Sequence, residues 1–569
     1  MRRFIFFAAL LALTLSCEKQ EERVTAGSGE IVSEYLTPTR VVLARGAVEN
    51  AEHLTEPYAG QVSTDEPGVT VFSKGGSVLL DFGREIQGGI QIVRAIDGDH
   101  RAARFRLCLG ESVSEALSSV EAKGSTATND HSVRDFEISV PWLGCVEVGN
   151  SGFRFARLDL LDAGWEVPVV AVRAISKYRD LPYLGSFRCS DQRLTDIWNT
   201  GAYTVHLCMQ EYLWDGIKRD RLVWLGDMHP EVMAVNTVFG DQEVVRKSLD
   251  YVRAKTPPTE WMNGMCSYSL WWIIIQEHLY KWYGDKEYLE AQHAYLKELL
   301  HTVMGQMDGC REAFEEGRFL DWPTNDQPEA IHAGLQALSV MALDAGAGLA
   351  NALGDTALEE ECSRVAAELR TYVPDPAGSG QAAALLALAG LLDPAEAAGV
   401  VEWNGPYGCT SFMGYYMLEA MAAAGHYIEA LHLMSDYWGG MLDLGATTFW
   451  EDFNYHDGQN AARIDEVVPE GKFDIHADGG AWCYVGLRHS FCHGWASGPT
   501  TWLSRHVLGI EPVGVGFSEV RIEPQLGDLE WAEGSFPTPY GLIEVSHHRT
   551  PDGSITSEIK VPKGIKLVK

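Results

Sequence analysis

The chain has 569 residues, 46% of them apolar and 10% aromatic, and carries a formal charge of −34 at pH 7. That length exceeds a single compact core and calls for roughly two to four domains. No Lys/Arg-rich run follows the first residues, which excludes the basic face that nucleic-acid binding requires.

Residues 1–17 read as a lipoprotein signal. Met1-Arg2-Arg3 forms a positive start, and "FIFFAALLALTL" is an apolar run too short for a comfortable transmembrane span. A small residue precedes Cys17 and a charged run follows it, so cleavage before Cys17 and lipidation of its thiol are expected. An ordinary secretory signal cut nearby is the competing reading. Both imply export, to the periplasm or the outer membrane and cell surface, with membrane attachment only through the N-terminal lipid. No other apolar stretch is expected to be long enough and sufficiently free of polar residues to span a bilayer.

Export permits disulfides. The ten further cysteines, at 108, 145, 189, 208, 266, 310, 362, 409, 483 and 492, are scattered and form no C-x-x-C pair. Most are expected as small buried apolar residues. Cys108 with Cys145 is the one pair to test.

Residues 18–40, polar and rich in Glu, Ser and Thr, are expected as a tether. From 41 to 185, short apolar runs alternate with polar residues. "SVLLDFGREIQGGIQIVRAI" reads as two strands around a Gly-containing turn. "ARFRLCLGES" and "GFRFARLDLLD" have period two. An antiparallel β-sandwich is expected there.

From 186 to 508 the period becomes helical. Ser190 and Asp191 can cap a helix that presents Leu194, Ile197 and Trp198 on one face. Gly240-Asp241, Gly284-Asp285 and Gly354-Asp355 repeat one punctuation. Glycine stops a helix in the left-handed conformation, and the following Asp caps the next. A closed ring of helical hairpins or an open array fits this pattern. Residues 509–569 return to strands, with "TPDGS" as a hairpin turn, and are expected as a second β-sandwich.

Candidate chemistry concentrates in "WDGIKRDRLVWLGDMHPE", Trp214 to Glu231. Asp215, Asp220 and Asp227 can converge there, with Arg219 and Arg221 between them. The run can equally be a solvated salt-bridge cluster. Trp214 and Trp224 favour a sugar site, because indole rings stack on C–H faces while carboxylates bind hydroxyls. "GATTFWEDFNYHDG" adds Trp450 and Glu451, "RHSFCHGWASGP" adds His493 and Trp495, and "FLDWPTND" adds Asp321 and Trp322. Trp271 and Trp272 lie in an Leu/Ile-rich helix. Two carboxylates on separate loops are what glycoside hydrolysis needs. Gly-rich phosphate loops, H-E-x-x-H and G-x-S-x-G are all missing from the sequence.

Together these motifs resemble the bacterial α-L-rhamnosidases of glycoside hydrolase family 78, within the six-hairpin glycosidases. "DGIKRDRLVWLGD" looks like that family's acidic signature, "GATTFWED" like its Thr-Thr-x-Trp-Glu segment, and "SFCHGWASGP" like the segment before the last ring helix. The resemblance implies an (α/α)6 toroid flanked by antiparallel β-sandwiches. It implies Glu451 as general base and Asp220 in the place of the general acid, with Asp215, Arg219, Trp224, Asp227 and His493 binding the sugar. Trp271, Trp322 and Trp450 are further candidates for the aromatic wall. An inverting reaction places the two carboxyls roughly 6.5–9.5 Å apart. The implied substrate is a glycan with terminal α-L-rhamnose or a related deoxy sugar. No cofactor or metal is implied, and no D-x-D-x-D loop suggests calcium. Asp stands at 220 where the family usually has Glu, and Gly216-Ile217 replaces Cys-Pro. The alternatives are a six-hairpin enzyme for another sugar, such as an unsaturated uronyl hydrolase, and a non-catalytic surface glycan-binding lipoprotein.

Overall fold

The structure, a computed structural model, describes residues 27–58, 60–62, 68–119, 134–162, 164–480 and 485–569. The expected signal with Cys17 lies outside the described residues, as does Cys483. Three regions follow in chain order.

The first is a nine-stranded antiparallel sheet built from strands between Ile31 and Arg179. Two expectations change here. Ser77–Arg94 is one 18-residue strand, with register shifts between Asp81 and Ile86 and between Gly88 and Ile90. The glycines mark irregularities in pairing, not a turn. At Gly88, with φ of 149°, a Cβ would fall 1.8 Å from the Ile175 carbonyl oxygen. The expected tether also contributes a strand, Ile31–Leu36, paired to the edge residues Ala174–Arg179. None of its six residues is buried, so backbone pairing holds it and its composition stays polar. Cys108 and Cys145 are both free, one buried and one exposed. Cys108 lies opposite Asp135 and Arg157, whereas Cys145 lies opposite Val93, so they sit on different rungs of the sheet.

The second region is the helical ring. Among the described residues, twelve helices pair as outer and inner partners of six hairpins. The outer members are Gln192–Cys208, Glu243–Lys255, Lys286–Met304, Thr356–Leu369, Pro394–Asn404 and Tyr427–Asp443. The inner members are Met228–Phe239, Cys266–Tyr283, Pro328–Leu353, Gly380–Leu388, Gly414–Ala423 and Gly498–Trp502. Each inner helix packs on the next, and the last returns to the first, so the ring is closed. Outer helices bury one stripe, as in Glu243–Lys255 with Val244, Val245, Leu249 and Val252. Inner helices are buried on nearly every face; Met228–Phe239 is buried throughout. Pro328–Leu353 is long and apolar enough by composition to cross a bilayer, but it is the third inner helix.

The caps follow the sequence in part. Asp191 accepts from the Arg193 N–H, Asp285 from Tyr288 and Asp355 from Leu358. Gly284 and Gly354 take the left-handed conformation at the preceding helix ends. At Gly240-Asp241 the helix instead starts one residue later, after Gln242, and Asp241 pairs with Arg246 at 2.6 Å.

The third region has a four-stranded sheet and a three-stranded sheet. Ser186–Cys189, at the entry to the ring, belongs to the first of these through its pairing with Trp531–Thr538. Its core is continuous with that of the ring, whereas the N-terminal sheet has its own.

Candidate active site

The segments that join each outer helix to its inner partner gather at one end of the ring. Four of them line a cavity of about 220 Å³. The first hairpin supplies Asp215, Arg219, Asp220, Trp224 and Asp227; the second, Met265 and Tyr268; the third, Trp322; the sixth, Glu451, Arg488, His493 and Trp495. The volume is below the roughly 300–1,000 Å³ of drug-sized sites and suits one sugar ring.

Asp220 and Glu451, remote in sequence, face this one cavity across a single guanidinium. Arg219 donates from Nη2 to Glu451 Oε1, and its Nη1 lies 3.4 Å from Asp220 Oδ2. Ser490 N–H donates to Glu451 Oε2 at 3.3 Å. The Glu451 backbone is clamped as well. Its N–H donates to Ser490 O at 3.0 Å, and its carbonyl accepts from Trp495 Nε1 at 2.9 Å.

Asp220 has φ of 57° and Arg221 φ of 54°. Two successive non-glycine residues in the left-handed region store strain, of the kind that gathers at functional sites. Asp and Asn are enriched in that region and Glu is not. The local backbone thus gives a reason for Asp where Glu is usual. Arg221 turns away and donates to Asn150 O at 2.8 Å, tying the loop to the N-terminal sheet.

Asp215 and Asp227 form the floor. Asp215 Oδ1 accepts from Leu222 N–H at 2.8 Å, and Asp227 Oδ1 from Tyr268 O–H at 2.9 Å. Burial, then the Asp227 and Asp220 carboxyls, holds Asp215 well above the usual carboxylate range. Burial does the same to Asp227, against the Tyr268 hydrogen bond and reinforced by Glu451. Both shifts favour the protonated carboxyl, the form that can donate a hydrogen bond into the cavity. Burial holds His493 well below its ordinary value. Its Nδ1 meets the Asp215 carbonyl, which can only accept, so Nδ1 carries the proton. The bare Nε2 turns to Asp227 Oδ2 at 3.4 Å and Glu451 Oε1 at 3.5 Å.

Trp224 and Trp322 are half-buried walls. The other two expected tryptophans are not in the lining. Trp271 is buried and stacks on His229 and Tyr416, with centroids 4.9 and 4.8 Å away. Trp450 is buried and stacks on Phe491 at 4.2 Å. Met265, Tyr268 and Arg488 were not singled out from the sequence. The readable signal for the first two was position: they open an inner helix, where the first turn reaches the cavity.

Beneath the loop lies a buried cation. Lys218 Nζ is 3.1 Å from Glu115 Oε1 and 3.3 Å from Glu111 Oε2, and donates to Leu487 O and His489 O at 3.0 and 2.7 Å. His476 Nε2 is 3.3 Å away. Glu111, Glu115 and His476 would otherwise make a plausible metal triad, but the Lys218 ammonium supplies the positive charge. Glu111 also accepts from Phe491 N–H at 2.7 Å. Both carboxylates come from the N-terminal region, which so braces the segments on either side of Arg219 and Glu451. Burial pushes both carboxyls up, and Lys218 pulls them back.

Comparison with known proteins agrees with this architecture. Residues 182–507 match the bacterial alpha-L-rhamnosidase 6 hairpin glycosidase domain, and residues 509–568 the bacterial alpha-L-rhamnosidase C-terminal domain. An alpha-L-rhamnosidase of Alteromonas sp. (strain LOR) is 32% identical over 129 residues, which is 22% of this chain and 12% of that protein. The GH78 rhamnosidase of Bacillus sp. GL1 superposes with a TM-score of 0.71 at 21% identity, covering 88% of this chain and 54% of that one. A rhamnosidase from Klebsiella oxytoca with rhamnose bound gives 0.68 at 20% identity, covering 84% and 96%. The chain thus covers about half of the Bacillus structure, and its matched segment about an eighth of the Alteromonas protein.

Proposed function

Because this chain belongs to the bacterial α-L-rhamnosidase six-hairpin glycosidase family, we propose that it hydrolyses α-L-rhamnosides, or glycosides of a related deoxy sugar, with inversion. The observation that carries this reading is the pairing of Asp220 and Glu451 across Arg219 in one aromatic-walled cavity. Glu451 takes a proton from a water that attacks the anomeric carbon. Asp220 delivers a proton to the departing oxygen on the other face. Asp215, Asp227 and His493 hold hydroxyls, and Trp224 and Trp322 pack on the ring. The Klebsiella neighbour has rhamnose bound, which supports that sugar as the first to try.

The deciding experiment is release of an aryl alcohol from aryl α-L-rhamnoside, with a panel of other aryl glycosides and unsaturated uronides. Glu451→Gln and Asp220→Asn should each lower kcat/KM by about 10²–10⁴-fold, the usual weight of a general acid or base. Full activity in both variants overturns the assignment. Export with a lipid on Cys17 belongs to the same proposal and is supported by the charged start, apolar run and Cys17 of the sequence. Mass spectrometry of the mature N-terminus tests it.

A further inference from the structure

The lining of the catalytic cavity divides by depth. Asp215, Asp227, Glu451 and His493 are buried, whereas Asp220, Trp224, Met265, Trp322 and Arg488 are half-buried. The second group forms the mouth. A terminal sugar held on the floor leaves the unit it is attached to at the mouth, on the side of Asp220, where the departing oxygen takes its proton. Side chains that share the mouth with Asp220 meet that unit.

Among those residues Arg488 is the cation. It ends the short helix Gly486–Arg488, and successive carbonyls pin the backbone there. Its own carbonyl accepts from Arg219 Nε at 3.1 Å. The carbonyls on either side, of Leu487 and His489, accept from Lys218 Nζ at 3.0 and 2.7 Å. The Arg488 side chain takes no part in this packing. Its Nε is buried without a hydrogen-bond partner, and among the described residues no carboxylate pairs with its guanidinium. Arg219 differs, since its guanidinium is shared between Asp220 and Glu451.

A guanidinium presents a planar fork of N–H donors that matches the two oxygens of a carboxylate. Partial withdrawal of that fork from water without an acceptor has a cost, which an incoming carboxylate offsets. Rhamnose on the floor cannot supply the anion, because its ring bears hydroxyls and a methyl group only. The anion has to sit on the adjoining unit. The chain's formal charge of −34 repels anionic glycans at long range, so any preference for one must arise from a local contact. We propose that Arg488 selects substrates in which the terminal sugar is attached to a uronic acid, by pairing with that unit's carboxylate at the mouth. This rests on the glycosidase reading and names the class of leaving group it takes.

The test is kcat/KM of the full chain on α-L-rhamnosyl disaccharides of glucuronic and galacturonic acid, each beside its methyl ester, which keeps the shape and removes the charge. One of the acids should be preferred over its ester by about 10–100-fold, the weight of a hydrogen bond between charged groups. Arg488→Gln should abolish that preference. Arg488→Lys, which keeps the charge and loses the fork, should retain part of it. Acid and ester share the ring being cleaved, so a general loss of folded protein or of turnover does not move their ratio. An aryl α-L-rhamnoside completes the set. If the parent protein cleaves the aryl rhamnoside but no disaccharide, or shows no preference for either acid, the role of Arg488 alone is overturned. A preference that persists in Arg488→Gln overturns it as well. Failure to cleave any of these substrates overturns the glycosidase reading and this one with it.

Discussion

Asp220 shows why residue identity and backbone conformation must be read together. Asn shares the tolerance of Asp for positive φ, so Asp220→Asn tests proton donation with the loop conformation kept. Asp321 is a second case. It caps the short helix Trp322–Thr324 and accepts from Thr410, yet burial pushes it up to about 7. An unfolded Asp titrates near 3.9. The folded state therefore holds the proton more tightly, and that contribution to stability is complete below about pH 4 and lost as pH rises to about 7. In Asp321→Asn the loss should vanish, so the variant gains in Tm over the parent between about pH 5 and pH 8. An equal pH slope in both proteins would refute this. Trp271 separates packing from binding. Trp271→Ala should cost about 3–5 kcal/mol in denaturant unfolding with KM little changed in the folded fraction, because its ring touches His229 and Tyr416 and not the cavity.

At the scale of elements, one sequence motif has two outcomes. Asp355 caps its helix and binds Lys297 at 2.7 Å, while Asp241 sits before its helix and pairs with Arg246. Asp355→Ala should cost about 1 kcal/mol and Asp241→Ala less than about 0.5, measurable as a difference in urea midpoint. The legible part of the fold was its punctuation: glycines that stop helices, aspartates that start them, and period-two runs on either side. The acidic loop was legible because its residues are contiguous. Tyr268 was not, since it arrives from another hairpin and its role depends on standing in the first turn of Cys266–Tyr283. Trp271, one turn deeper in the same helix, is core for the same reason. Trp450 and Asp452 flank Glu451 in a non-helical segment where neighbouring side chains diverge, so one stacks inward and the other lines a separate cavity. The edge strand Ile31–Leu36 escaped because backbone pairing leaves no apolar trace.

At the scale of the whole molecule, the charge of Lys218 is neutralised by another domain. Lys218→Met would leave Glu111 and Glu115 buried together without their cation. Loss of one partner from a buried ionic group costs about 3–5 kcal/mol. Unfolding should register that cost, and kcat should fall because the segments holding Arg219 and Glu451 rest on this cluster. A Lys218→Met protein with full stability and kcat would show that the brace is dispensable. The same cluster bears on inheritance. The family match begins at residue 182, but Glu111, Glu115 and the Asn150 carbonyl lie upstream of it. A recombination event that delivered the ring without its sheet would strand an ammonium in the dark. The similarity can be cut at residue 182, whereas the carboxylates that face Lys218 come from before that cut.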